Sequence, residues 1–335
     1  MRAVVLVGGR GTRLQPLTHT RPKPMLPVVN RPIIEHIVGH LARYGVDDVV
    51  LSLGYRPDAF AESYPGGRCL GTTLHYAVEP EALDTAGAIR FAARDAGIDE
   101  RFLVVNGDVL TDLDIDGLVA FHHERGAEAT ITLHRVDDPS RYGVVPTDDD
   151  GRVRAFIEKP PRDEAPTDLI NAGTYVLEHS VVERIPGGRR VSVERETFPA
   201  LTEDGTLYAF DGDTYWIDTG TPQEYVRAQM DLVDGVRGAP VDGVHAGAKV
   251  DDEARLERSV VGPGAVVDAG ARVVGSVLLP GARVAAGAVV DSSVLGEGAE
   301  VSCGARVEGY SVIGDRGVVP RAARLAGARV PGEGA

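Results

Sequence analysis

Two hydrophobic patterns alternate along the N-terminal part of the chain. Ala3–Val7 is a short unbroken apolar run ending at Gly8, and Phe102–Val105 is another, ending in Asn106-Gly107-Asp108. Such runs predict buried strands. Asp47–Leu53, with Val49-Val50-Leu51 inside it, and Ala129–Leu133 read the same way. Between them, Ile33–Tyr44 carries Ile33, Ile34, Ile37, Val38 and Leu41 on one helical face, and Thr85–Ala93 and Leu118–Glu124 also read as helices. This alternation predicts an α/β unit: a mainly parallel sheet with helices on both faces. Ligands of such sheets gather at the carboxyl ends of the strands, where Gly8-Gly9 and Asn106-Gly107-Asp108 fall.

From about Asp234 the pattern changes. Aromatic residues nearly vanish, and Ser259-Val260-Val261-Gly262-Pro263-Gly264-Ala265 returns as Ser276-Val277-Leu278-Leu279-Pro280-Gly281-Ala282 and as Ser293-Val294-Leu295-Gly296-Glu297-Gly298-Ala299, each 17 residues on. A looser copy begins at Ser311, and a second Gly-Ala recurs inside each repeat at Gly270-Ala271, Gly287-Ala288 and Gly304-Ala305. Aliphatic residues recurring in register at this spacing predict a hexapeptide β-helix, one strand per face of a triangular coil, and exclude a structureless Gly/Ala linker. The expected organisation is a catalytic domain over 1–235, a linker over 236–254 and the coil over 255–335.

Composition narrows the chemistry. A net charge of −15 argues against general nucleic-acid binding, which needs a basic surface. Cys69 and Cys303 are far apart and stand in no metal-ligand spacing, so both are expected reduced in a cytoplasmic protein, with Cys303 packed inside the repeats. The apolar run after Met1 is too short for a signal peptide or a membrane span. Only Lys23, Lys159 and Lys249 are lysines among 35 basic residues. A chain that otherwise uses arginine keeps lysine where a compact ammonium is wanted; Lys249, in the expected linker, suits an ordinary surface charge.

The richest stretch runs Leu6-Val7-Gly8-Gly9-Arg10-Gly11-Thr12-Arg13-Leu14 and on to Arg21-Pro22-Lys23-Pro24. Glycines after a buried strand let backbone N–H groups approach an anion, and Arg13 and Lys23 add full charge, a combination suited to a triphosphate. The spacing fits neither a Walker A loop nor a dinucleotide fingerprint. Asp108, at a strand end, and Asp218, in Trp216-Ile217-Asp218-Thr219-Gly220, are candidate ligands for a hard cation that screens phosphate charge. Glu158-Lys159-Pro160 and Asn171-Ala172-Gly173 offer the carboxylate, ammonium and amide that a sugar phosphate needs.

Taken together, these motifs, with Ser192-Val193-Glu194-Arg195-Glu196-Thr197-Phe198-Pro199 and the coil, resemble the sugar-1-phosphate nucleotidylyltransferase family over nearly the whole chain, and within it the mannose-1-phosphate guanylyltransferases. The resemblance implies a Rossmann-like sheet of the nucleotide-diphospho-sugar transferase type followed by a left-handed β-helix. It implies Mg²⁺ as cofactor, GTP and mannose 1-phosphate as substrates, and GDP-mannose and pyrophosphate as products. It implies Leu6, Gly8, Gly9, Gly11, Thr12, Arg13, Glu79, Asp84, Thr85 and Gly107 around the nucleotide, with Arg13 and Lys23 catalytic. Asp108 and Asp218 would hold the metal, and Glu158, Lys159, Asn171, Gly173 and Glu194 the sugar phosphate.

One segment departs from the family pattern. In Glu79-Pro80-Glu81-Ala82-Leu83-Asp84-Thr85-Ala86-Gly87, Ala82 replaces the usual Pro and Asp84 the usual first Gly of Pro-Leu-Gly-Thr-Ala-Gly. Any positive φ there falls on Asp, which tolerates it better than most residues. Glu79 is the candidate reader of guanine, whose N1–H and N2–H₂ are donors that a pure acceptor matches. The alternatives are UDP- or dTDP-glucose synthesis, a hexapeptide acyltransferase (disfavoured because His245, the last histidine, precedes the repeats), and a non-catalytic sensor of nucleotide sugars, which the intact Arg13, Lys23, Asp108 and Asp218 argue against. A homo-oligomer assembled through coil faces is expected.

Overall fold

The long apolar runs form the centre of a ten-stranded mixed sheet in the computed structural model, which describes residues 1–332. We number its principal strands β1 (Arg2–Leu6), β2 (Asp48–Leu53), β3 (Thr72–Val78), β4 (Phe102–Asn106), β5 (Ala129–Arg135), β6 (Leu169–Leu177) and β7 (Leu207–Asp211), and the longer helices α1 (Ile33–Arg43), α2 (Asp84–Asp95), α3 (Ile115–Arg125) and α4 (Pro222–Val233). Their order across the sheet is β7-β5-β6-β4-β1-β2-β3. The four strands β4, β1, β2 and β3 are parallel, β6 runs antiparallel to β4 and β5, and β7 is parallel to β5. Val4, Val50 and Val104 are fully buried, as strands covered on both faces require.

Register sets the binding edge. Leu6 lies opposite Ser52 and Asn106, and Ser52 opposite Ala77, so the parallel strands finish nearly level. The residues that follow the strands are Val7-Gly8, Gly54, Glu79 and Gly107.

The chain divides into two compact units, residues 1–9 with 37–216 and residues 10–36 with 217–335. The first is the sheet with its helices. The second joins the glycine–arginine loop and Pro-Lys-Pro segment to α4 and the coil. This division cuts inside α1 and between Gly9 and Arg10, a boundary no composition change announces.

The coil is a three-faced parallel β-helix of the left-handed hexapeptide type, each face a five-stranded sheet. Its pairings repeat at 17 residues, as Lys249 opposite Val266 and Val266 opposite Arg283, then at 18 for Glu300 opposite Val318. The first of these strands, Lys249–Val250, lies within the stretch expected as linker, because it pairs with Val266–Val267 and completes a rung. Residues 333–335 of the expected coil lie outside the described residues. Alanine and valine alternate inside, with Ala265, Val267, Ala282, Val284, Ala299 and Val301 buried. A serine column, Ser259, Ser276, Ser293 and Ser311, runs buried up one corner, and the Ser259 and Ser276 hydroxyls accept from the backbone N–H of Ser276 and Ser293, each at 3.1 Å. Cys303, expected to pack inside, is exposed, because it sits on a corner beside Gly304 rather than on an inward position; Cys69 is buried. Among the described residues, no helix is long and apolar enough to cross a membrane.

His122 on α3 is almost fully buried, its Nδ1 2.8 Å from the Thr130 hydroxyl and its Nε2 3.2 Å from Glu178. Burial pushes its pKa below the ordinary 6.5, with nearby Arg101 acting in the same direction. The folded protein therefore holds this histidine neutral where the unfolded chain would protonate it. Its contribution is complete above the unfolded pKa and declines as pH falls below about 6.5. Thermal melts should show a midpoint that drops between pH 7.5 and 5.5, and His122→Gln should flatten the drop; an equal slope in the variant would count against this origin.

Candidate active site

Residues assigned from sequence fall into one cluster in each compact unit. In the first unit, Gly8 stands where β1 ends, and a Cβ built there would lie 3.3 Å from the Gly54 backbone N and 3.4 Å from Glu79 Oε1. Glycine thus allows β1 and β2 to close together and sets Glu79 beside the loop. Gly9 has open space around it. Glu79 is oriented by two donors, Ser52 Oγ at 3.2 Å and the Leu83 backbone N–H at 3.1 Å. Gly107 donates its N–H to the Leu6 carbonyl at 2.9 Å, and any Cβ there would come within 2.4 Å of Val7. Only glycine lets the chain turn at this strand end and deliver Asp108 to the tip between β4 and the following short strand, Val109–Thr111.

Asp84 does adopt a positive φ, +62°, and its Oδ1 accepts the Thr85 N–H at 2.9 Å. The side chain makes the local bond that lets Asp occupy this region. The Thr85 hydroxyl donates to Glu194 at 2.7 Å and accepts from the Val193 N–H at 2.8 Å, while the Ala86 and Gly87 N–H groups both reach the Val191 carbonyl. The N-terminus of α2 is therefore tied to the 191–194 segment. Thr85 and Glu194, assigned separately to nucleotide and sugar, form one hydrogen-bonded pair.

The sugar-side residues surround a tyrosine that sequence reading passed over. Tyr175 on β6 is buried and accepts from the Asn171 amide at 2.9 Å, while Asn171 Oδ1 accepts the Gly173 N–H at 3.1 Å. Burial pushes the Tyr175 phenol far up, and the negative charges of Glu194, Glu158 and Asp108 push the same way. A β-bulge between Asn171 and Tyr175 brings both side chains to this spot. Glu158 pairs with Lys159, whose side chain remains 58% exposed and whose φ is +52°. An exposed ammonium at a strained turn is placed to meet an anion from solvent.

In the second unit the two proposed cations converge on one carboxylate. Lys23 Nζ lies 3.2 Å from Asp218 Oδ1 and Arg13 Nη2 lies 3.5 Å from Asp218 Oδ2. Lys23 is buried, with 6% of its side chain exposed, whereas Arg13 is 56% exposed. Gly11 and Thr12 open the short turn Thr12–Leu14 that carries Arg13. The Thr18 hydroxyl donates to the Gly11 carbonyl at 2.9 Å and folds the loop on itself. Gly220 is a second residue missed from sequence, though its motif was noticed. A Cβ there would fall 2.4 Å from Arg13 Nη2 and 2.8 Å from Asp218 Oδ1, so the missing side chain is the seat of the guanidinium.

Among the described residues, no three His, Cys, Asp or Glu side chains gather as a ready-made metal cage. A sparse set of carboxylates fits a hard divalent ion that completes its shell with phosphate oxygens and water.

Comparison with known proteins places this geometry. Residues 2–235 match the family model described as nucleotidyl transferase, and residues 240–332 match that of the GMPPB C-terminal domain. The chain belongs to the nucleotidyl transferase family. A mannose-1-phosphate guanylyltransferase of Mycobacterium tuberculosis is 45% identical over 250 residues, covering 74% of this chain and 69% of that protein. A mannose-1-phosphate guanyltransferase of Aspergillus fumigatus is 42% identical over 236 residues, covering 68% of this chain and 62% of that protein. Among solved structures, HddC from Yersinia pseudotuberculosis complexed with GMP-PN is 32% identical with a TM-score of 0.59, covering 68% of this chain and 97% of that one. A Bacillus anthracis glucose-1-phosphate thymidylyltransferase, described as putative and solved with sucrose, is 25% identical with a TM-score of 0.61, covering 68% and 94%. Members of the family generally use a divalent metal.

Proposed function

We propose that this chain catalyses GTP + mannose 1-phosphate → GDP-mannose + pyrophosphate. The observation that carries the nucleotidyl-transfer chemistry is the Arg13–Asp218–Lys23 cluster in a family member; the choice of mannose and guanine rests on the names of the relatives and on Glu79, an acceptor held beside Gly8. A phosphate oxygen of mannose 1-phosphate attacks the α-phosphorus of GTP. A new P–O bond forms as the α–β anhydride bond breaks, and pyrophosphate leaves with the electron pair. The nucleophile is already an anion, so no side chain need take a proton. Arg13 and Lys23 stabilise the charge that builds on the α-phosphate and the leaving group. Lys159 holds the sugar phosphate, and Glu158, Asn171 and Glu194 orient the sugar hydroxyls. Asp108 and Asp218 are the residues that would hold Mg²⁺, which would supply further charge neutralisation at the phosphates.

The reaction is assigned to the cytosol, consistent with two cysteines that form no disulfide among the described residues, and the chain to a homo-oligomer that uses outward coil positions such as Val318. The test is pyrophosphate release over GTP, UTP, dTTP and ATP, each with mannose and glucose 1-phosphates. GTP with mannose 1-phosphate should lead the other pairs by at least about tenfold in kcat/KM, the discrimination expected of a pocket that hydrogen-bonds its base. Faster turnover with UTP or dTTP would reassign the substrate, and no turnover with any pair would favour the sensor reading.

A further inference from the structure

We propose that Asp315, in the last part of the coil, is a positioning residue for the loop that carries Arg13 and Lys23. Pro263, Pro280, Glu297 and Asp315 occupy the same corner of successive rungs. The first two are prolines; the last two are acids. The Asp315 side chain is only 8% exposed, and a carboxylate so placed needs partners. Oδ1 accepts the Glu297 N–H at 2.8 Å, within the coil. Oδ2 accepts from the Thr20 hydroxyl and from Arg21 Nη2, the latter at 3.3 Å. Arg21 also pairs with Glu297. A Cβ built at Gly314 would lie 3.1 Å from Pro16, so the start of the same loop rests on the neighbouring coil residue.

Thr20 and Arg21 are joined to Lys23 through Pro22, with Pro24 beyond it. Two prolines flanking Lys23 fix φ on both sides, and a short turn over Lys23–Met25 follows. Displacing Arg21 is therefore passed to the ammonium. Arg21 keeps its half-exposed partner Glu297, but Arg21 and Asp315 are themselves 23% and 8% exposed, so removing the Asp315 carboxylate costs stability as well. A shift of about 1 Å in a charge-stabilising group costs about 10²-fold in rate.

This inference rests on reading the loop as the triphosphate-binding element, and its test has one arm that does not. Asp315→Ala should lower kcat about tenfold to 10²-fold, a range bounded by the cost of such a misplacement, and should also lower the melting midpoint because Arg21 loses a nearly buried partner, so kcat is read well below that midpoint. Asp268→Ala, which removes a coil ion pair with Arg283 far along the repeat sequence, should leave kcat unchanged. Without any substrate, hydrogen exchange in Asp315→Ala should quicken at the amides of His19, Met25 and Leu26, which bond within the loop, and stay unchanged at Val294 in the coil. Normal kcat or unchanged loop exchange in Asp315→Ala would overturn the proposal, as would exchange that quickens equally along the coil. Arg13→Ala is assayed alongside. If that variant stays active, the reading of the loop fails, while the exchange arm still decides whether Asp315 anchors it.

Discussion

Arg13→Ala is expected to lower kcat by about 10²–10³-fold, the loss seen when one preorganised charge-stabilising donor is removed, while leaving the fold intact. The two halves of this expectation have separate grounds. Arg13 is 56% exposed and meets Asp218 at 3.5 Å, so its ion pair belongs to the class that contributes about 0–1 kcal/mol to stability. Its rate contribution of about 3–4 kcal/mol arises only when negative charge develops on the phosphates. KM for the triphosphate should rise less than kcat falls, because the interaction strengthens in the transition state. Arg13→Lys should recover only part of the rate, since an ammonium cannot reproduce the planar fork seated over Gly220. Steady-state kinetics with thermal melts on the same preparations check this. A fully active Arg13→Ala enzyme would remove the residue from the mechanism.

How far the chain could be read depended on whether the determining contacts were local. Val4, Val50 and Val104 announced buried parallel strands because both faces are covered and the runs are unbroken. The coil was legible because one rung predicts the next. Strand β6 was noticed only as Asn171-Ala172-Gly173: its bulge breaks the alternation that would have marked a strand and turned attention to Tyr175. The unusual backbone at Asp84 was anticipated from a single Gly replacement and is present at φ +62°. The grouping of residues 10–36 with the coil had no such signal. Arg21 and Asp315 stand 294 positions apart, and no periodicity connects an arginine in a loop to an acid at a repeat corner. Gly220 belongs to the same class. Its motif was visible, but its reason is the guanidinium of a residue from the other end of the chain.

Asp218→Ala should abolish measurable turnover and also destabilise the protein, and a second substitution should separate the two effects. Asp218 lies 3.2 Å from the Lys23 ammonium, with 15% and 6% of the two side chains exposed. Removing the carboxylate takes from a buried cation a counter-ion 3.2 Å away, at a cost of up to about 3–5 kcal/mol for a pair this far from water. The stability loss would be present without any metal. The activity loss has a further source, because Asp218 is also a proposed metal ligand. Replacing Lys23 by Met at the same time removes the buried charge while keeping an unbranched stem of similar volume. The Asp218→Ala/Lys23→Met variant should regain most of the melting midpoint, as apolar replacements of buried pairs do. It should regain none of the activity, and raising the divalent-metal concentration should not restore it. Recovery of turnover with stability would reduce Asp218 to a structural counter-ion. Failure to recover stability would show that the carboxylate supports the loop through contacts other than Lys23.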